Sequence, residues 1–227
     1  FNLHFIFGQE MIRRIRIYHY FTIFQMNFIT GQTGVFFICC IFHIELCGET
    51  KPQNYMESFI KLFHSSVADC WDNKAISQFH VKELNYSEFA KEIAVLQDMW
   101  SAAGLQRGDK ISINAKSGVN WMTVFMASVT GGYVSVQLFN GFTPADTQKL
   151  VSHSDSRILY TEKAIFSAMD FESMPELLAA IDVESGDLLA SRNGFEAVYN
   201  NRYAAFDAKY PQGYGKSAFQ DRVANAP

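Results

Sequence analysis

The residues that come closest to a known chemical motif are the five of the stretch Gly213-Tyr214-Gly215-Lys216-Ser217. In a phosphate-binding loop, backbone amides cradle the phosphates, a lysine reaches the terminal phosphates and a serine or threonine binds magnesium. Such a loop also requires a glycine at position 210, where this sequence has Tyr210, and an apolar strand before it, which the sequence lacks. No GxGxxG follows a predicted strand either. We therefore interpret residues 213–217 as an ordinary loop.

His153, Ser154 and Asp155 supply the three residue types of a hydrolytic triad side by side. A working triad is built from groups that converge in space, whereas neighbours at the end of a helix point apart. We interpret these residues as a helix terminus and assign no catalytic role to them.

Metal and disulfide chemistry are not indicated. The histidines, among them His64 and His80, have no partners at metal-ligand spacings, so solvated or core positions are the better interpretation. Three of the four cysteines crowd between positions 39 and 47, with Cys70 apart, which matches neither a disulfide framework nor paired zinc ligands. This pattern predicts no metal site and favours the reducing cytoplasm.

Composition excludes some classes of partner. The 227 residues are 48% hydrophobic, which is ample for a buried core, and the formal net charge is -4. Nucleic-acid binding requires clustered lysine and arginine, so an acidic chain is not expected to bind it. We therefore predict that Trp71, Trp100 and Trp121 are core anchors and not platforms for stacked bases.

The elements that would position any site are centred on residues 104–139. The sequence predicts a strand at Lys110–Ala115, a helix at Val119–Thr130 and a strand at Tyr133–Phe139, connected as a parallel, right-handed unit. A capping Thr143 before Pro144 opens a helix to about His153, and Arg157–Thr161 is the next strand. The fold class is therefore α/β, a parallel βαβαβ sheet flanked by helices.

Weaker patterns flank this unit. Ala75–Phe79 and Leu84–Tyr86 suggest a hairpin, and Ser87 is predicted to cap an amphipathic helix over Glu88–Ala103. Residues 163–169 and 175–181 read as helices, and order is expected to decay through the polar region from Gly186 onward.

Three segments are predicted along the chain. Residues 1–55 read as a non-native or disordered leader, with a reading frame opened upstream of Met56; residues 56–216 form the domain, and residues 217–227 are a separate tail. The alternative is a membrane anchor, suggested by arginines at 13, 14 and 16 and the apolar run 35–47. That run is shorter than the roughly 20 apolar residues that span a bilayer.

The segment from Leu84 to Thr161 resembles AMP-forming acyl-CoA synthetases, members of the adenylate-forming superfamily. LNYSEF at 84–89 is similar to the family's LTYxEL, and Gly104, Gly108 and Asp109 match GxxxGD. Asn120 and Trp121 supply the two residue types of the family's NxxxW turn and helix, although they are adjacent here. Residues 132–137 resemble GAVxVP, with Gln137 in place of proline. HSDSRILYT at 153–161 and DAKYPQGY at 207–214 resemble bacterial long-chain fatty acid CoA ligases in particular.

The resemblance implies a partial amino-terminal domain of the adenylate-forming fold. It also implies a two-step reaction, in which ATP with magnesium and a fatty acid give an acyl adenylate, and coenzyme A then displaces AMP. The family's TSGTTGxPKG loop does not occur in the sequence. We therefore expect a truncated or frameshifted gene product that is inactive alone and binds no cofactor, and no catalytic, cofactor or metal residue is assigned.

The family positions that this sequence does match carry structural roles. Capping is expected for Glu88, a turn for Asp109 and packing for Trp121. A second hypothesis stays open, namely a membrane-associated α/β binding or interaction module without catalysis, held at the membrane by residues 12–47.

Overall fold

A computed structural model describes residues 53–78 and 81–225, with side chains from position 59 onward. The helices are α1 (Gln53–Asp69), α2 (Tyr86–Ala102), α3 (Val119–Thr130), α4 (Pro144–His153), α5 (Lys163–Phe166), α6 (Phe195–Lys209) and α7 (Lys216–Ala224), with a 3-10 turn at Phe171–Ser173. The strands are β1 (Lys74–Gln78), β2 (Lys82–Asn85), β3 (Lys110–Asn114), β4 (Val134–Gln137), β5 (Ser156–Thr161), β6 (Ala179–Asp182) and β7 (Leu188–Ser191).

The main sheet has the strand order β4-β3-β5-β6-β7. Its first four strands are parallel, and β7 pairs with β6 antiparallel. The predicted α/β class and the parallel βαβαβ unit are confirmed, with helices connecting β3 to β4 and β4 to β5. Two further strands, β6 and β7, extend the sheet beyond the prediction.

The centre of the sheet is covered on both faces. Ile111, Ile113 and Ile158 are fully buried, as expected for the inner strands of a parallel sheet under helices. The polar residues on these strands are satisfied locally, since Ser112 Oγ and Ser156 Oγ share a buried hydrogen bond of 2.7 Å. Strands β3 and β5 are thereby joined by a side-chain bond as well as by their backbone ladder.

Two predictions about the second half of the chain are wrong. The helix predicted over 175–181 is replaced by β6, which is buried along its whole length and pairs with β5. A short apolar run cannot be assigned by periodicity alone, and here tertiary pairing overrides the helical preference of alanine. Order also does not decay after Gly186, because β7, α6 and α7 follow. The helix predicted over 163–169 is shorter and ends at Phe166.

The predicted hairpin is confirmed, as β1 and β2 pair antiparallel, but the predicted cap of the next helix is wrong. The capping residue is Asn85, whose side chain accepts a hydrogen bond of 2.8 Å from the Glu88 amide. The Glu88 carboxylate accepts one of 2.9 Å from the Asn85 amide, which completes a capping box and confirms the capping role of Glu88. Ser87 lies inside the helix and donates to the Asn85 side chain.

Asn85→Ala should lower the free energy of unfolding by about 1 kcal/mol, because the first turn of α2 loses its side-chain acceptor. Urea denaturation monitored by circular dichroism measures the change. Ser87→Ala is the matched control, since it removes only a bond to the cap and should cost less. A larger loss for Ser87→Ala than for Asn85→Ala would show that Ser87, and not Asn85, is the capping residue.

Several predictions concern residues that the structure does not describe. The predicted leader, residues 1–55, lies outside the described residues except for positions 53–55, as do the run 35–47 and His80. In the part of the chain that is described, no helix combines the length and the apolar character needed to cross a membrane.

Candidate functional site

The carboxyl ends of three neighbouring parallel strands carry a row of polar side chains. Asn114 ends β3, Thr161 ends β5 and Asp182 ends β6. They are paired across the sheet, Asn114 with Thr161 and Thr161 with Asp182. Ligands of open α/β sheets bind beyond this edge, so the carboxyl-edge row (Asn114, Thr161 and Asp182) is the candidate functional site.

Asn114 connects the sheet to the loop after β4. Its side chain is fully buried, and Nδ2 donates a hydrogen bond of 2.8 Å to the carbonyl of Phe139. Thr161 Oγ1, also fully buried, lies 3.5 Å from Asn114 Oδ1 and donates to it. These side chains bond to the protein itself and therefore fix the loop that leaves β4.

Asp182 organises the opposite end of the row. Its carboxylate accepts hydrogen bonds from the backbone amides of Lys163 (2.7 Å), Glu184 (2.8 Å) and Ser185 (2.9 Å). Desolvation would raise the pKa of Asp182, but the amides favour the ionised form and hold the pKa below its ordinary value. The carboxylate thus ties the start of α5 to the loop after β6.

The start of α3 is fixed against the same loop. Asn120 Nδ2 donates to the carbonyls of Val183 (2.9 Å) and Glu184 (3.2 Å). Lys82 of β2 donates to Asn120 Oδ1 at 3.0 Å, which links the hairpin to the edge of the main sheet. Asn120 is therefore a positioning residue in the scaffold.

The described residues of this edge do not fit the phosphates of ATP. A phosphate site needs free backbone amides or cations directed at the ligand. Here the amides of Lys163, Glu184 and Ser185 are already occupied by the Asp182 carboxylate, which would also repel an anion. No chemical step through ATP or magnesium is derived from these residues.

Two cavities among the described residues lie away from this edge. One, of about 50 Å³, lies among α1, α2 and α7 and is lined by residues that include His64, Gln97 and Arg222. An open depression of about 470 Å³ lies at the amino ends of β3 and β5, where Lys110 and Arg157 face Asp109, Asp155 and Glu176. The first is far smaller than the roughly 300–1,000 Å³ of ligand sites, and the second is at the edge opposite to the one that α/β folds use.

The loop interpretation holds for residues 213–215, whereas Lys216 and Ser217 form the start of α7. Gly213 has a left-handed backbone with φ +85°, Gly215 is the N-cap of α7 and Lys216 is its first helical residue. The segment follows the carboxyl end of α6 and not a strand, so the strand-loop-helix context of a phosphate loop is missing.

The triad-like residues lie at the end of α4, as predicted. Ser154 Oγ bonds to the Val151 carbonyl at 3.0 Å and shares a bond of 2.7 Å with Ser156 Oγ. Asp155 adopts a left-handed φ of 52° and forms a surface ion pair with Lys110 at 3.8 Å. None of these contacts joins His153 to Ser154.

The tryptophans and the family-matched residues have the predicted structural roles. Trp100 is fully buried, and Trp71 and Trp121 pack half-buried against the same core. Trp121 stacks on Phe125 with ring centroids 5.7 Å apart, while Asp109 closes a turn by accepting from the Gln106 amide at 2.8 Å. His64 packs in the core region, and Cys70 is a half-buried free thiol.

Within residues 53–78 and 81–225, no cluster of three or more His, Cys, Asp or Glu side chains could hold a metal ion.

Sequence reasoning missed the carboxyl-edge row. Asn114 is the next-to-last residue of the predicted strand Lys110–Ala115, so its position near a strand end could be read from the sequence, but its bond to the Phe139 carbonyl depends on the path of the loop after β4. Asp182 directly follows a segment predicted to be helical. The signal that could have identified Asp182 as a strand end is its position, since it is a polar residue that follows an apolar run and precedes the turn residue Gly186.

Comparisons with known proteins place the fold. The sequence model of a family described as AMP-binding enzyme matches residues 63–210, more than half of the chain. The acyl-CoA ligase sidI of Aspergillus fumigatus is 32% identical over 80 residues, which cover 35% of this chain and 13% of that protein.

Solved structures agree at the level of the fold. The anthranilate CoA ligase AuaEII superposes with a TM-score of 0.52 at 14% identity, covering 62% of this chain and 26% of that one. A mutant form of coronafacic acid ligase from Pectobacterium brasiliense gives 0.51 at 18% identity, covering 56% and 25%. This chain thus spans about a quarter of the length of these structures. Since the family match extends over β1 to α6, the chain belongs to the AMP-binding enzyme family.

Proposed function

We propose that residues 56–216 are the amino-terminal part of the AMP-binding domain of an acyl-CoA ligase, and that its acyl substrate is a long-chain fatty acid. The observation that carries the proposal is the family match over residues 63–210. The substrate class is supported by the stretches at 153–161 and 207–214, which resemble long-chain fatty acid CoA ligases. The cysteine pattern favours the cytoplasm as the compartment.

In this proposal the chain supplies scaffold and not chemistry. The side chains of the carboxyl-edge row bond to neighbouring loops, so they set the shape of the edge at which the family's substrates meet. ATP, magnesium, the fatty acid and coenzyme A are partners of the complete enzyme. The phosphate-binding loop, which the 227 residues do not contain, would be contributed by another stretch of polypeptide.

Genomic sequence on both sides of the coding segment tests the assignment to a ligase. We expect a continuation that encodes the glycine-rich loop and its lysine, in the same frame or a neighbouring one. A stop directly after the codon for Pro227, together with a true start near residue 1, would contradict the ligase assignment and favour a separate binding module.

Expression of the complete reading frame tests the substrate class. With ATP, magnesium and coenzyme A, the enzyme should form palmitoyl-CoA in preference to anthraniloyl-CoA, measured by mass spectrometry with both acids in one reaction. Anthranilate is the matched competitor because AuaEII, a structural relative, is named for it. Preferential formation of anthraniloyl-CoA would overturn the long-chain proposal, and the absence of both products would overturn the proposed ligase activity.

A further inference from the structure

Helix α7 is an integral part of the core, although it lies beyond the residues 63–210 that match the family. Its Phe219 is only 6% exposed and belongs to the main apolar core. The Phe219 ring meets His64 edge-on with centroids 5.9 Å apart, and it contacts Trp71 at 5.8 Å. One aromatic side chain therefore joins α7 to α1 and to the turn that follows it.

Polar bonds join α7 to α2 on the other side. Arg222 Nη1 donates to Asp98 Oδ1 at 2.8 Å, and Arg222 Nη2 donates to Gln97 Oε1 at 3.0 Å. About three quarters of the Arg222 and Asp98 side chains is buried, since their exposed fractions are 23% and 24%. A partly buried, charge-assisted pair of this kind fixes the position of α7 against α2 in the closed state.

The packing between these contacts is incomplete. The cavity of about 50 Å³ lies between α7 and the α1–α2 surface and has room for water. Tyr214 lines this space, and its hydroxyl is buried without a hydrogen-bond partner among the described residues. A helix of nine residues held over a cavity, with one aromatic anchor, is the type of element that opens before the rest of a domain.

We propose that α7 is a pH-sensitive latch, in which protonation of His64 releases the helix from the surface formed by α1 and α2. The latch closes over an apolar surface that includes Phe63, Ala90 and Ile93. This device is independent of the proposed ligase function, because it involves a helix outside the family match.

Burial, and not a neighbouring charge, is what disfavours the protonated form of His64 in the closed state. Arg222 of α7 lines the same cavity, with its charge paired to the Asp98 carboxylate of α2 at 2.8 Å, and the neutral Tyr214 lines it from the preceding loop. From α2 and α3 the cavity is lined by uncharged side chains, namely Ala90, Ile93, Ala94, Gln97 and Thr130. Desolvation lowers the pKa of His64 below its ordinary value in the closed state.

The direction of the pH effect follows from this shift. In the open state His64 is solvated and takes an ordinary pKa of about 6.5. The closed state is thus fully stable above about pH 6.5 and loses stability as the pH falls below that value. Ordinary carboxylates remain ionised above about pH 5, so in this range the loss is separable from protonation of acidic groups.

Hydrogen exchange on the full chain tests the latch. Between about pH 7.5 and about pH 5.5, exchange of α7 amides, corrected for intrinsic rates, should rise relative to α6, by about tenfold at most, because one histidine is protonated on opening. His64→Gln should abolish the rise, and His153→Gln, at the exposed end of α4, should leave it unchanged. A rise that persists in His64→Gln, or α7 exchange that does not change with pH, would overturn the proposal.

A measurement on the unsubstituted chain covers the case in which His64→Gln does not fold. The His64 ring protons, followed by nuclear magnetic resonance, should titrate with a midpoint below about 6.5. Phe219→Ala removes the anchor and should bring this midpoint back toward the ordinary value. A His64 midpoint at or above the ordinary value in the unsubstituted chain would show that closure does not disfavour protonation, and the latch would be refuted.

Discussion

Trp100→Ala should lower the free energy of unfolding by about 3–5 kcal/mol, the range measured when a large aromatic side chain is removed from a core. Trp100 is fully buried and packs edge-on against Tyr133 and Tyr160, with ring centroids 5.3 and 6.3 Å away. Its Nε1 donates to the Tyr160 hydroxyl at 3.2 Å. The substitution therefore creates a cavity and also removes the partner of a buried hydroxyl.

The lost hydrogen bond adds to the loss of packing. Tyr160 is 3% exposed, and burial raises the pKa of its hydroxyl far above the ordinary value. The hydroxyl therefore stays protonated, and ionisation cannot relieve the cost of its missing hydrogen bond. A buried hydroxyl without a partner costs about 1–3 kcal/mol. Trp100→Phe keeps most of the ring volume but removes the donor, and should therefore fall between the unsubstituted chain and Trp100→Ala.

Trp121→Ala is the matched control. Trp121 is half-buried on α3 and stacks on Phe125 near the surface, so its removal leaves a gap that solvent can fill. Urea denaturation at constant pH, monitored by circular dichroism, compares the variants. Equal losses for the two alanine variants would show that Trp100 is not the central packing residue that its burial indicates.

The elements that the sequence predicted well are those whose signals are local. Helix α3 runs over Val119–Thr130 as predicted, since a glycine pair follows its last residue. Helix α4 begins at Pro144 behind Thr143, whose side chain accepts from the Asp146 amide. A cap, a first-turn proline and a terminal glycine are read within a few residues, so tertiary structure is not needed to place them.

The elements that the sequence predicted poorly depend on distant partners. Strand β6 consists of four residues, Ala179–Asp182, and is a strand because β5 on one side and β7 on the other offer it backbone partners. Helix α7 has one buried residue, Phe219, so it shows no apolar stripe. The structure of such segments depends on the elements that they pack against. Some of these elements are more than a hundred residues away in the sequence, so a local sequence pattern does not identify them.

In the candidate site too, the sequence predicts local positions but not the contacts made by distant loops. The position of Asn114 at the end of a strand follows from the strand prediction, and the topology of a parallel sheet brings strand ends to one edge. Whether a polar residue at this edge is free for a ligand depends on the loops that return to it. For Asp182 the loop after β6 presents two amides and α5 a third, which converts a possible ligand residue into a structural one.

Because Asp182 is bonded to three backbone amides, neither its carboxylate nor those amides are free to bind a substrate, and this affects the expected activity. The purified chain, incubated with ATP, magnesium and palmitate, should show no palmitate-dependent exchange of labelled pyrophosphate into ATP, and no acyl-CoA after coenzyme A is added. Attack of a carboxylate on the α-phosphate requires amides and cations placed where negative charge develops. The 227 residues contain no glycine-rich phosphate loop, and the amides of Glu184 and Ser185 are already bonded to Asp182.

The expected size of this effect is large. Removal of a single well-placed donor costs about 100-fold to 1,000-fold in rate, so the loss of a whole phosphate loop should place turnover below detection. A full-length acyl-CoA ligase in the same buffer is the positive control, and an identical preparation from cells that do not express the chain reports contaminating ligase. Exchange by the purified chain that exceeds exchange by this blank would contradict the prediction. It would mean that residues of this chain provide a phosphate site by a route other than the family's loop, and the carboxyl-edge row would be the first place to substitute.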